Sequence, residues 1–217
     1  MSPDVFVPMA ERSGLINALG ALILDKALEA LVRLRHELIV DDSFYVSVNV
    51  AAPQLRESNF GDIVAAALAA FGVSTQQVRL EITESSLVDR SLRGSMQDLR
   101  RSGLQLAIDD FGTGYSSLAS LQDLPVDVLK VDRSFVQRID TDRQAAALVA
   151  AVVTMANTLG LETVAEGVET EGQRAALALL GCPSSQGYLF ARPLEGSSWQ
   201  RQPDLGGVPY SSIVTGG

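Results

Sequence analysis

Short runs rich in β-branched and aromatic residues alternate with amphipathic stretches along most of this 217-residue chain. The strand-like runs are Phe44 to Val50, Val78 to Glu84, the segment between Gly103 and Gly112, Val126 to Asp132, Leu161 to Glu169 and Gln186 to Phe190. Between them, apolar residues recur at intervals of three and four. Leu19, Leu22, Ile23, Ala27, Leu31, Leu34 and Leu38 form one such series over Ile16 to Leu38, and Phe60, Ile63, Val64, Ala67, Leu68 and Phe71 form another. This spacing gives a helix a single buried stripe. Further helices are expected from about Leu92 to Arg101, from Asp142 to Leu159 and from Thr170 to Leu180. Two segments lack the pattern. Met1 to Glu11, with Pro3 and Pro8, reads as a loop and a short helical turn, and Glu195 to Gly217 reads as a poorly ordered tail.

Strand followed by helix, repeated, is the pattern of a parallel sheet with crossover helices, so the fold class is α/β. Two layouts satisfy it. A doubly wound sheet places its ligands at one switch point, whereas a barrel collects polar residues from the ends of many strands into one mouth. Here Asn49, Glu81, Asp109 with Asp110, Lys130 with Asp132, Glu166 and Gln186 all stand at or near strand ends. That distribution favours a (β/α)8 barrel. About six strands are countable against the roughly eight of a closed barrel, so residues 1–194 are expected to form a barrel domain about two strands short.

Composition narrows the partners. A net charge of -9 opposes general binding to DNA, RNA or an anionic membrane, because that binding needs clustered Lys and Arg. The apolar run from Ala145 to Ala156 is too short for a membrane span, and no signal peptide is evident, so a cytoplasmic location is expected. The single cysteine, Cys182, forms no internal disulfide, in keeping with a reducing compartment.

The strand-end residues carry the chemistry. Carboxylates and a carboxamide are hard oxygen donors suited to Mg²⁺ or Mn²⁺, and the scarcity of His and Cys argues against zinc. His36, the one histidine, lies on a helix far from the strand ends and reads as a surface residue. Asp109 and Asp110 are adjacent where a strand stops, and a turning chain can bring both onto one cation. Enough carboxylates for two cations point to two-metal hydrolysis of a phosphoester. Lys130, at the end of an otherwise apolar strand, would offset charge in the transition state.

The ordered set of Val46-Ser-Val-Asn49, Leu80-Glu81-Ile-Thr-Glu84-Ser, Asp109-Asp-Phe-Gly-Thr-Gly-Tyr-Ser-Ser-Leu118, Leu129-Lys130-Val-Asp132, Ala165-Glu166-Gly-Val-Glu169-Thr and Gln186-Gly-Tyr-Leu-Phe resembles the EAL domain family of cyclic di-GMP phosphodiesterases, over about Pro3 to Pro193. The resemblance implies a TIM-barrel-like EAL fold, here N-terminally truncated to about six βα units, that opens cyclic di-GMP to linear pGpG with two Mg²⁺ or Mn²⁺ ions. By the same resemblance, Asn49, Glu81 and Asp109 match ligands of one metal, and Asp109, Asp110 and Glu166 match those of the other. Lys130 matches the lysine that helps hold the attacking water. Glu84 matches the glutamate anchoring the loop after the Asp-Asp pair, and Asp132, Glu169 and Gln186 match residues lining the site. Partner expectations are cyclic di-GMP itself, a homodimer, and an upstream sensory or cyclase domain.

The family's Glu-Ala-Leu motif lies on an early strand, and the arginine after it contacts substrate. The only Glu-Ala-Leu in this chain, Glu29-Ala30-Leu31, falls within an amphipathic helix and reads as a chance match. The competing expectation is therefore a degenerate EAL domain that binds nucleotide or a protein partner without turnover.

Overall fold

The structure, a computed structural model, describes residues 2–37, 43–114, 121–182, 184–192 and 212–215. Strands β1 (Tyr45–Asn49), β2 (Val78–Thr83), β3 (Gln105–Phe111), β4 (Val128–Val131), β5 (Glu162–Ala165), β6 (Ser184–Ser185) and β7 (Ser212–Thr215) lie in the order β6-β5-β4-β3-β2-β1-β7. The pairs β1–β2, β1–β7, β3–β4, β4–β5 and β5–β6 are parallel. From β1 to β6 each strand's spatial neighbour is also its sequence neighbour. Such an order has no switch point, which excludes the doubly wound layout and leaves the TIM-barrel-like α/β arrangement.

The chain divides into two compact units, Met1–Ile82 with Asp89–Leu106 and Arg201–Gly217, and Thr83–Val88 with Ala107–Gln200. In the first unit, helices α1 (Pro3–Ser13), α2 (Ile16–Glu37), α3 (Ala52–Arg56), α4 (Phe60–Phe71) and α5 (Arg93–Arg101) accompany β1 and β2. Ile16, Leu24, Ala27, Leu28, Leu31 and Leu34 form the buried stripe of α2, which packs on β1 and α4. The stripe is rotated from the one expected, since Leu22 is exposed; Leu38 lies outside the described residues. Glu29 of the chance Glu-Ala-Leu is on the solvent side of α2, paired with Lys26 at 3.0 Å. Below Glu81 on the same face of β2, buried Arg79 donates to Tyr45 Oη at 2.8 Å and to Gln105 Oε1 at 3.1 and 3.3 Å. These bonds tie the starts of three strands together.

Two sequence expectations are corrected. Pro3–Ser13 is one helix, not a loop and short turn: Pro3 sits at the start of α1, where its missing N–H costs nothing. Pro8 removes one ladder bond without ending the helix. Nor is Gln186 to Phe190 a strand. The strand there is Ser184–Ser185, and the chain turns at Gly187, whose φ is 154° and where a Cβ would lie 2.3 Å from the Val168 backbone. Of the tail expected over 195–217, the described part, Ser212–Thr215, pairs with β1; residues 195–211 lie outside the described residues.

In the second unit, α6 (Arg133–Val136), α7 (Arg143–Thr158) and α8 (Glu171–Leu179) follow β4 and β5. Asp142 starts α7 by accepting the N–H of Gln144 at 2.8 Å, and Thr170 starts α8 by accepting that of Gln173 at 3.2 Å. Among the described residues no helix is long and apolar enough to cross a membrane.

Candidate active site

Ala107 on β3, Val128 on β4 and Val164 on β5 pack into one buried apolar cluster. Side chains alternate across a strand, so the residues two positions further on, Asp109, Lys130 and Glu166, rise from the same face above that floor. The sequence period thus builds a charged layer on a dry one. Lys130, only 3 % exposed, lies with Nζ 2.7 Å from Asp109 Oδ1 and 2.7 Å from Glu166 Oε1. Asp109 Oδ1 is buried and makes no hydrogen bond of normal geometry, so its contact with Lys130 is an ion pair. Glu166 Oε1 also accepts from Gln186 Nε2 at 2.5 Å.

Asp110 joins its neighbour because the strand is irregular. Ile108 pairs with Leu129 but Phe111 pairs with Val131, so β3 carries an extra residue in a bulge. Asp110 itself has φ 55°, in the left-handed region uncommon outside glycine. On a regular strand its side chain would point away from that of Asp109; here ligand oxygens of Asp109, Asp110 and Glu166 all lie within 4.8 Å of one another. Although Asp110 is exposed at one side, partial burial raises its pKa, and the charges of Asp109 and Asp132 add to the rise against Lys130 and Arg133. Three crowded carboxylates with one pKa pushed up are a hard-oxygen donor set short of positive charge, which fits a divalent cation.

Glu84, 3 % exposed, bonds to the backbone of the glycine loop: its Oε2 accepts the N–H of Gly112 at 2.8 Å and of Gly114 at 3.1 Å. The loop residues 115–120 lie outside the described residues. Asp132 starts α6, its Oδ1 accepting from Ser134 N at 3.0 Å and Ser134 Oγ at 2.5 Å. Glu169 is exposed, and its backbone N–H donates to Gln173 Oε1 at 2.7 Å. Thus Asp109, Asp110, Lys130, Glu166 and Gln186 come together in the second unit. Asn49 and Glu81 stand opposite each other in register on β1 and β2 of the first, with Glu81 2 % exposed. Sequence reasoning passed over Gln173, for which the Thr170-x-x-Gln173 spacing was the available signal. It also passed over Arg79, which carries no motif.

The family model of the EAL domain matches residues 1–193. The chain belongs to the EAL domain family. It is 40 % identical over 200 residues to the bifunctional diguanylate cyclase/cyclic di-GMP phosphodiesterase MucR of Pseudomonas aeruginosa, covering 89 % of this chain and 28 % of that protein. It is 41 % identical over 197 residues to the cyclic di-GMP phosphodiesterase NbdA of the same organism, covering 89 % of this chain and 25 % of NbdA. This EAL chain therefore spans about a quarter of the length of these relatives. Among solved structures, the PaMucR phosphodiesterase in complex with c-di-GMP superposes with a TM-score of 0.82 at 38 % identity, covering 89 % of this chain and 78 % of that one. The EAL domain of Mycobacterium smegmatis DcpA gives a TM-score of 0.78 at 40 % identity, covering 84 % and 82 %.

Proposed function

We propose that this EAL domain is a cyclic di-GMP phosphodiesterase that hydrolyses its substrate to linear pGpG. The observation that carries the reading is the convergence of Asp109, Asp110 and Glu166 around buried Lys130. Two divalent cations, Mg²⁺ or Mn²⁺, bound at such a site supply an acidified water and a counter-charge for the leaving oxygen. Asp109, Asp110 and Glu166 would hold one of them. Asn49 and Glu81 stand in register on neighbouring strands, and by the family resemblance they match ligands of the other.

Lys130 holds a fixed positive charge beside the carboxylates. Because it sits on an apolar floor, that charge is weakly screened and acts strongly on a phosphate brought to the site. Glu84 holds the backbone of Gly112 and Gly114, so the loop that follows Asp110 starts from a set position. Gln186 orients Glu166, and the family resemblance assigns Asp132 and Glu169 to the lining of the site. The wider protein, in keeping with the lengths and names of its relatives, pairs this domain with a sensory or cyclase domain and acts in the cytoplasm.

The test is pGpG formation from cyclic di-GMP with Mg²⁺ or Mn²⁺, using Asp109→Asn as the blank. Product formed by the wild-type chain and not by the variant is expected. Equal, background-level product from both would refute the reading in favour of a binding module.

A further inference from the structure

Gln173 is 6 % exposed and occupies the third position of α8. Both ends of its amide are engaged. Oε1 accepts the N–H of Glu169 at 2.7 Å and that of Thr170 at 3.1 Å, while Nε2 donates to the carbonyl of Gln137 at 3.2 Å. A glutamine at this position after a threonine ordinarily serves the helix start alone, reaching back to the N–H of the threonine. The bonds to Glu169 and to Gln137 go beyond that device. Glu169 closes the segment that opens with Glu166, and Gln137 caps the end of α6, the helix that begins after Asp132. One buried amide therefore joins the segment after β5 to the helix after β4.

We infer that Gln173 is a positioning residue for the carboxylate site, holding the Glu166–Glu169 segment so that Glu166 stays against Lys130 and near Asp109 and Asp110. The segment is tied at successive points. Glu166 N donates to Val131 O at 3.0 Å, Val168 N to Gln186 O at 3.0 Å, and Glu169 N to Gln173. The last tie is a side chain, so it is the one a substitution can remove. Cutting it frees the N–H groups of Glu169 and Thr170 and the carbonyl of Gln137, all on exposed residues that water can reach, so the segment loses its tie to the helix after β4. Outer partners of this kind typically change metal affinity or activity by about 10–100-fold when lost. The catalytic part of this inference rests on the phosphodiesterase reading, whereas the effect on cation binding does not.

The experiment compares wild type, Gln173→Glu and Gln173→Leu, each as the full chain and each checked for folding by circular dichroism well below its melting temperature. Glutamate keeps the acceptor that the cap needs but is unable to donate to the Gln137 carbonyl; leucine loses both functions. Mn²⁺ affinity is measured by isothermal titration with the metal alone, and kcat and KM for cyclic di-GMP separately. The expected result is Mn²⁺ binding about 10–100-fold weaker in both variants, with kcat lowered and KM held. A merely structural cap would lower the melting temperature without changing the affinity of the folded protein. Where Gln173→Leu fails to fold, Gln173→Glu decides. Wild-type Mn²⁺ affinity in folded Gln173→Glu overturns the inference. A wild-type chain that makes no pGpG while the Mn²⁺ affinities differ as expected would sink the phosphodiesterase reading and leave the positioning role standing.

Discussion

Lys130 Nζ lies 2.7 Å from Glu166 Oε1, the lysine side chain 3 % exposed and the glutamate side chain 15 %. The same nitrogen meets Asp109 Oδ1, so one buried cation offsets two carboxylates. Removing it leaves uncompensated negative charge over an apolar floor. Lys130→Met is expected to lower the unfolding free energy of the metal-free protein by about 3 kcal/mol, the usual cost of breaking a buried pair from one side. Added Mn²⁺ should recover part of that loss. Urea denaturation with and without Mn²⁺ reads both effects, and a variant as stable as wild type in the absence of metal would contradict the pairing.

The raised pKa of Asp110 sets a pH dependence of definite sign. The unfolded chain protonates this residue near its ordinary value of 3.8, the folded chain at a higher pH. Between the two, the folded state binds more protons, so lowering the pH through this window stabilises the metal-free fold, and raising it brings in the full penalty. Cation binding responds oppositely, because a protonated Asp110 is a poorer ligand. Mn²⁺ affinity should therefore fall with pH, starting above the ordinary aspartate range, and Asp110→Asn should flatten the profile. Parallel profiles for the two proteins would show that Asp110 is not the titrating group.

Glu84 is expected to act on the loop more than on the fold. Glu84→Ala strips the N–H groups of Gly112 and Gly114 of their acceptor, with a cost of about 1 kcal/mol for each, since both residues are exposed and water can take its place. Glu84→Gln keeps one acceptor oxygen and should be milder. Gly114→Ala reaches the same contact from the other side, since its Cβ would lie 2.9 Å from the Glu84 carboxyl. Hydrogen exchange at Gly112 should accelerate in all three, least in Glu84→Gln. Unchanged exchange in Glu84→Ala would remove the anchoring role.

Cys182, 1 % exposed, lies between Thr163 and Ser184, with Sγ 3.8 and 3.5 Å from their carbonyl oxygens. Burial pushes its thiol pKa up, so little reactive thiolate is present. Alkylation by iodoacetamide at pH 8 should be slow in the native protein and fast in urea, reporting the opening of the β5–β6 edge. Rapid native labelling would mean that this edge opens freely.

Much of this molecule was legible from spacing alone. The period of two within the strand runs placed Asn49, Lys130 and Glu166 at or just past strand ends, and the period of three to four placed α2 and α4, because burial on one face leaves a repeat in the residues themselves. That Glu29-Ala30-Leu31 falls within an amphipathic helix was an equally local fact, whereas the loop-anchoring role of Glu84 came from the family resemblance. What spacing did not contain is which neighbours each face would meet. The burial of Leu24 rather than Leu22 depends on β1 and α4 lying against α2. The helix through Pro8 and the turn at Gly187 both override local preference, the latter because the Val168 backbone runs too close for a side chain. Above all, Asp109 and Asp110 converge because β3 slips register against β4, adding a residue opposite Lys130. A bulge is a relation between two strands, so the adjacency of the two aspartates was determined by the sequence, and their meeting at one point only by the sheet.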